Sequence, residues 1–503
     1  MSSIAAGPHV VDDDDAPGPP ISVPDSGDGE GGKLKMIVQL VKKSLGVKDI
    51  AAMRLSLPAS LLEPIPNLEY WHYLDRPDMF AAINDSDDPF ERMLALVRFT
   101  FTKDLKFVHG KVCKPYNSVL GEHFRAHWDV VPAKSPTSYT PLDTASPNLE
   151  TASTRKSPST AATSLEVPDA EMSRLNLAAS DEHVRVIYIT EQVSHHPPVS
   201  AYYAACPSRS LELYGIDQIS AKVSGTTLRV APGMYNKGIF VNITGGPGAG
   251  SMNGLLRGSF YVTVGEGQQR FRAIIEYKEE SWLGRAHFLL EGVIHTVVEG
   301  ETQHNGWTKV KHVPQNRVVA VFDGSWRSRI RWRRVGVNSF PDATPSSYSS
   351  PSPSHASLPT PTLPSAASSR MDISVAKEED YATLMDLSTL EVLPKCVRPL
   401  EKQLPHESQR LWESVTTRLL KKEFSEATKE KVGIEQRQRD EAADRKRKGQ
   451  EFVPLYFEKD LGAGYTALTP AGRTAVEEEL REPSQYDIEE SPVTLKPSVA
   501  LKS

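Results

Sequence analysis

Cysteine is scarce: Cys113, Cys206 and Cys396 are the only three in 503 residues, and none belongs to a CxxC spacing. That pattern excludes a disulfide framework and a cysteine zinc site, and it fits a reducing, cytosolic setting. Long apolar runs are missing as well. No stretch reaches the about 18 apolar residues of a membrane-spanning helix, so any membrane contact has to be peripheral. The N-terminus, which runs through Asp12 to Asp15, lacks the basic-then-apolar order of a secretory signal. Positive charge is not in excess either, since the formal net charge is −6. General nucleic-acid binding by counterion release needs the opposite sign, so no nucleic-acid partner is expected.

Catalytic signatures are equally thin. The chain has no HExxH, and no G-x-S-x-G elbow surrounds Ser194. The run GGPGAGSMNG (Gly245 to Gly254) is not followed by Lys-Ser or Lys-Thr and lies between strand-like runs, so it reads as a loose hairpin loop and not as a phosphate loop. No catalytic residue, metal or cofactor is expected.

What is present is a mosaic of low-complexity and patterned sequence. Residues 1–32 read as an acidic disordered arm, 134–176 as a disordered insertion, 340–370 as a Ser/Pro-rich linker and 462–503 as a tail. Between them, 33–57 forms an amphipathic segment, 58–339 holds helices and strands, and 371–461 returns to helix. The run KLKMIVQLVKKSLGV places Leu34, Ile37, Val38, Val41 and Leu45 on one stripe, with Lys35, Lys42 and Lys43 elsewhere. DPFERMLALVRFTFTKDL predicts a second, buried helix. From His183 to about Val335 the pattern changes to period two, in runs such as LELYGIDQISAKVSG, FRAIIEYKEE and HFLLEGVIHTVVEG. Asn305-Gly306 predicts a type I′ hairpin between two of these runs. Many strands with no helix between them imply an antiparallel sheet curling towards a barrel, wide enough for a ligand cavity.

Three clusters carry polar groups suited to an anion, and each also fits a plain structural role. In EQVSHHPPVSAYY, His195 and His196 end a strand just before two prolines. Alternation would separate the rings, so the pair serves one ligand only if the backbone bends there, as the prolines favour. CKPYNSVLGEHF offers Lys114 and Asn117, or simply a turn. Lys431, Glu435 and Arg439 share one helix face, with Glu435 placed to orient two cations towards a phosphate, or merely to balance a solvated face.

Together, EQVSHHPP, KPYNSVLGE (Lys114 to Glu122), RPLEKQLPHESQRLW (Arg398 to Trp412) and EKVGIEQRQR (Glu430 to Arg439) occur in an order that closely resembles the oxysterol-binding-protein-related lipid-transfer family. The similarity spans about Lys33 to Phe457, and the chain resembles a short form with the ligand-binding domain only. Ser118 departs from the family, which commonly has proline there, and the insertion after Ala133 is unusually long. The resemblance implies a mainly β fold with α-helices: a large antiparallel, nearly closed β-barrel around an apolar tunnel, an N-terminal lid over 33–57, and a C-terminal helical region. It further implies that Lys114, Asn117, His195, His196, Lys431, Glu435 and Arg439 hold the headgroup of phosphatidylinositol 4-phosphate. The lipid would be exchanged for a sterol, or alternatively for phosphatidylserine, with a phosphoinositide sensor or adaptor as the non-transporting alternative. The implied setting is a cytoplasmic monomer, peripheral at anionic membranes, at endoplasmic reticulum contact sites, the Golgi or the plasma membrane.

Overall fold

The computed structural model describes residues 21–22, 55–56, 59–109, 114–134, 183–224, 227–246, 248, 253–256, 261–263, 270–278, 287–298, 300–335 and 381–484. The apolar lid positions Leu34, Ile37, Val38, Val41 and Leu45 lie outside them. Within 1–57 the only described feature is a parallel backbone pairing of β1 (Ile21–Ser22) with β2 (Leu55–Ser56).

Four helices precede the main sheets: α1 (Asn67–Tyr70), α2 (Pro77–Ala81), α3 (Pro89–Thr102) and α4 (Lys106–His109). Asp88 caps α3 by accepting from the Phe90 N–H at 2.8 Å, and Pro89 supplies the preset first turn. The helix is buried almost all round, as its sequence predicts.

The strands that follow are β3 (His123–Val130), β4 (Val184–Ser194), β5 (Val199–Cys206), β6 (Leu211–Asp217), β7 (Ile219–Ser224), β8 (Thr227–Pro232), β9 (Ile239–Ile243), β10 (Asn253–Leu256), β11 (Tyr261–Thr263), β12 (Arg270–Tyr277), β13 (Leu289–Val297), β14 (Val318–Ser325), β15 (Arg329–Arg334) and β16 (Ala382–Asp386). They form a seven-stranded sheet, ordered β11-β10-β9-β6-β5-β4-β3, a five-stranded sheet in simple sequence order from β12 to β16, and the separate hairpin β7-β8. Every pairing in these sheets is antiparallel. The two sheets neighbour each other at β11 and β12, yet the ladders among the described residues make two sheets and not one ring. The loop GGPGAGSMNG does join hairpin partners, β9 and β10.

One expectation fails. Asn305-Gly306 makes no hairpin turn, because residues 303–306, 310–312 and 315–317 are short 3-10 turns in one long connection between β13 and β14. Trp307, which follows the dipeptide, instead packs its ring 5.1 Å from that of His295.

Period two sorts the side chains. Phe124, Ala126 and Trp128 of β3, Val186 and Tyr188 of β4, Ala273 and Ile275 of β12, and Phe322 of β14 meet Phe90, Leu94, Val97 and Phe101 of α3 in one cluster. Helix α3 packs into this cluster chiefly from the side of the five-stranded sheet, with Phe90 against Phe271 of β12 and Trp332 of β15, and Phe101 against Phe322 of β14. The opposite face of β3 is polar and is covered by α8 (Pro470–Arg481): Arg125 pairs with Glu478 at 2.7 Å, and His127 Nδ1 lies 2.7 Å from Glu479 Oε1. Burying that face is tolerable only because its charges are paired.

Candidate functional site

Two of the four motif segments meet at a single buried carboxylate, and a third joins them through the backbone beside it. Glu122, fully buried at the start of β3, accepts from the Val119 N–H at 3.0 Å, from Ser408 Oγ at 2.7 Å and from Trp412 Nε1 at 3.0 Å. Burial nevertheless pushes its pKa up to about 7. Backbone hydrogen bonds then tie this segment to the histidine strand: Gly121 N donates to Gln192 O at 2.9 Å, and Gln192 N donates to Glu122 O at 2.8 Å. Ser408 and Trp412 belong to α5 (Ser408–Leu411) and the residue after it, which leads into α6 (Glu413–Leu420) and the long α7 (Phe424–Arg447).

The fourth segment docks by its apolar stripe. Ala427 and Ile434 of α7 pack with Tyr116, Val119 and Trp412. Lys431 lies on that same face, only 3% exposed, and its Nζ donates to Glu435 Oε1 at 2.5 Å. Burying an ammonium this deeply is costly unless it is paired. Arg439 is exposed and does not join them in the way the spacing suggests. Its Nε and Nη2 donate to Gln436 Oε1 at 3.1 and 2.8 Å.

Lys114 and Asn117 stand together on the surface, with Lys114 Nζ donating to Asn117 Oδ1 at 2.6 Å. His195 and His196 also come together. A register shift between Gln192 and Ser194 ends the regular ladder of β4. Gln192 Nε2 donates to Ser194 O at 2.7 Å, and Ser194 Oγ donates to Pro197 O at 2.9 Å. The bent backbone places the two imidazole rings 4.5 Å apart at 67°. The structure therefore forms the pairs Lys114–Asn117, His195–His196 and Lys431–Glu435, on segments that the Glu122 network and the α7 stripe hold to one another.

Several residues at this end of β4 carry no signal that spacing analysis uses. Glu191 opens the EQVSHHPP motif and faces away from the central cluster. Its carboxylate accepts from the backbone N–H groups of Leu455 and Tyr456, both at 2.7 Å, and burial raises its pKa to about 7. Gly121 has φ +79°, and a Cβ there would come 3.2 Å from Phe452 Cε2. Gly121→Ala is expected to destabilise the protein by about 1–2 kcal/mol through the left-handed backbone alone. Thermal unfolding checks this, and an unchanged midpoint would contradict it.

Inside, the same end of the sheet is polar. Asp217 continues the inner face of β6, and its Oδ1 accepts from Tyr73 Oη at 2.6 Å. Tyr73 packs against the central cluster, with its ring 5.4 Å from that of Tyr202. Burial raises Asp217 to about 7 and holds the Tyr73 and Tyr202 phenols well above their ordinary value.

The comparisons with known proteins agree on one family. The description Oxysterol-binding protein matches residues 36–238. Oxysterol-binding protein-like protein 1 of Schizosaccharomyces pombe is 34% identical over 531 residues, covering 91% of this chain and 94% of that protein. Oxysterol-binding protein-related protein 11 of Homo sapiens is 28% identical over 432 residues, covering 83% of this chain and 47% of that protein. For Oxysterol-binding protein-related protein 10 of Homo sapiens the identity is 26%, with 82% and 45% covered. The chain thus spans nearly all of the yeast relative and less than half of the two human ones. Among solved structures, the Osh1 ORD domain in complex with cholesterol shares the fold at a TM-score of 0.50 and 17% sequence identity, aligned over 88% of each chain. With so much of the yeast relative matched, and the motif segments joined as described, this chain belongs to the oxysterol-binding protein family, a family of lipid-binding proteins.

Proposed function

We propose that this protein carries phosphatidylinositol 4-phosphate and exchanges it for a second lipid, a sterol, between membranes. The observation that carries this reading is the Glu122 network, which joins the Lys114–Asn117 segment, the histidine strand and the α5–α6 region into one frame. Six of the seven proposed headgroup residues form three preassembled pairs, two on that frame and one on α7, which packs against it. Imidazole, ammonium and amide donors suit phosphate oxygens, and Arg439 adds a bidentate fork once it leaves Gln436. Lipid chains would lie in an apolar tunnel enclosed by the two sheets as a nearly closed barrel. Each buried methylene then contributes about 0.8 kcal/mol of affinity. No bond is made or broken, so the chemistry is recognition alone.

For the second lipid, the inward Tyr73–Asp217 pair favours a sterol over phosphatidylserine. A single hydroxyl can join a carboxyl and a phenol amid apolar side chains, whereas an anionic headgroup would face Asp217 unfavourably. Asp217→Leu is expected to weaken sterol binding about tenfold, the worth of one hydrogen bond of roughly 1.4 kcal/mol, and to leave phosphoinositide binding unchanged. A fluorescent-sterol titration measures it, and equal affinities would remove Asp217 from the site.

The exchange itself is tested with two vesicle populations, one loaded with phosphatidylinositol 4-phosphate and the other with sterol. Accelerated movement of each lipid against the other is expected. Binding of both lipids without acceleration would make the protein a sensor or adaptor. In the cell the protein would act in the cytoplasm, peripherally, where the endoplasmic reticulum meets the Golgi or plasma membrane.

A further inference from the structure

We infer that the segment from Arg445 to Leu455, with the neighbouring Leu404, is a membrane-docking wedge that seats this end of the protein on an anionic bilayer. The inference deepens the lipid-exchange reading and rests on it for the identity of the surface.

The local structure builds an amphipathic edge. Helix α7 ends in Arg445, Lys446 and Arg447, followed by Lys448. Gly449, at φ +63°, reverses the chain, with Gln450 N donating to Arg445 O at 2.9 Å and Gly449 N to Lys446 O at 3.1 Å. The reversal carries the next residues onto the motif strands. Phe452 lies under the Arg445 guanidinium at 5.8 Å and against Gly121. Glu191 then fixes the backbone of Leu455 and Tyr456 from the histidine strand.

Anchored in this way, the segment presents apolar side chains to solvent. Val453 is 68% exposed, Leu455 42% and Leu404 43%. Leu404 belongs to the same edge, because His406 O accepts from the His123 N–H, and the His123 ring sits 4.9 Å from Tyr456. Packing does not account for a valine so exposed on a chain so firmly anchored.

Charge decides the partner. The segment from Arg445 to Leu455 carries four cations, Arg445 to Lys448, and one carboxylate, Glu451, which pairs with Lys459; of the carboxylates just before it on α7, Asp440, Glu441 and Asp444, the last pairs with Lys448 and Arg447. Apolar side chains beside a cationic excess suit the interface of an anionic bilayer, where the apolar groups enter and the cations meet headgroups. The wedge is also continuous, through Glu191 and Gly121, with the segments bearing His195 and Lys114. A lipid entering the proposed headgroup site would leave the membrane where the wedge holds it.

The test uses the full chain and vesicles of phosphatidylcholine with and without phosphatidylserine, read by co-sedimentation. Val453→Ser with Leu455→Ser is expected to weaken binding to the anionic vesicles about tenfold. Arg447→Gln with Lys448→Gln is expected to remove most of the preference for phosphatidylserine. Uptake of a water-soluble short-chain phosphatidylinositol 4-phosphate, which needs no membrane, should be unchanged in both variants and shows that they are folded. Variants that bind vesicles as the wild type does would overturn the wedge, as would a wild type that does not sediment at all. If the wild type sediments in a wedge-dependent way but takes up no short-chain lipid, the wedge stands and the phosphoinositide reading fails.

Discussion

The double variant His195→Ala, His196→Ala is expected to lose phosphatidylinositol 4-phosphate binding by about 100-fold or more while remaining folded. Two hydrogen bonds to a charged phosphate, at about 1.5–3 kcal/mol each, set that size. The fold should survive because other groups hold the turn. Gln192 and Ser194 bond its backbone, and the strand before it is paired on both sides. His195 is only half-buried, and the ring of His196 meets its neighbour's at 4.5 Å, so the loss of both leaves no imidazole facing an emptied partner. Native mass spectrometry after incubation with mixed vesicles measures the effect. A variant that still carries phosphatidylinositol 4-phosphate would make the histidines structural, whereas one that keeps sterol and loses the phosphoinositide would support two separable subsites in one cavity.

Such a site was legible in the sequence only where side chains act close to their own position in the chain. The prolines after His196 announced a bend, and the bend brings the rings together. The i, i+4 spacing of Lys431 and Glu435 announced their pairing. Arg439 fits the same spacing, yet its guanidinium binds Gln436, because a helix offers a long side chain neighbours at both i−3 and i−4, and spacing does not rank them. The strands of β12 and β13 followed from alternation. Asn305-Gly306 carried a strong turn signal that lost to the packing of the residues around it, including Trp307 on His295. Glu122 was invisible as a hub, since Ser408 and Trp412 lie 286 and 290 residues further on. Glu191 was silent for the same reason, with its partners 264 and 265 residues away. Whether the two sheets complete a ring depends on strand edges, which composition and periodicity do not specify.

The long-range carboxylate is also where the largest stability effect is expected. Glu122→Ala should destabilise the protein by about 3–5 kcal/mol, because it strands three buried donors at about 1–3 kcal/mol each, partly offset by relaxation. For a chain of this size, the thermal midpoint should fall by about 3–8 °C. Glu122→Gln separates charge from hydrogen bonding. Its amide oxygen can accept from Val119 N–H and Trp412 Nε1–H as Oε2 does now, and its amide nitrogen can donate to Ser408 Oγ, whose own proton is then free for the His123 carbonyl at 3.4 Å. The glutamine variant should therefore be close to wild type near neutral pH. It should also differ from wild type in its response to pH. Glu122 and Glu191 are raised in the folded chain from 4.5 to about 7, chiefly by burial. Between those values the native state binds more protons than the unfolded chain, so the associated stability is fully present below about pH 4.5 and is lost as pH rises through about 7. Each group accounts for a decline on the order of 3 kcal/mol. Urea unfolding of wild type and Glu122→Gln at intervals across that window measures the difference. A glutamine variant with about half the wild-type decline would fit Glu122 as a carboxyl that is protonated in the native state below pH 7, whereas parallel pH curves would mean that it stays ionised throughout and that its three donors outweigh its burial.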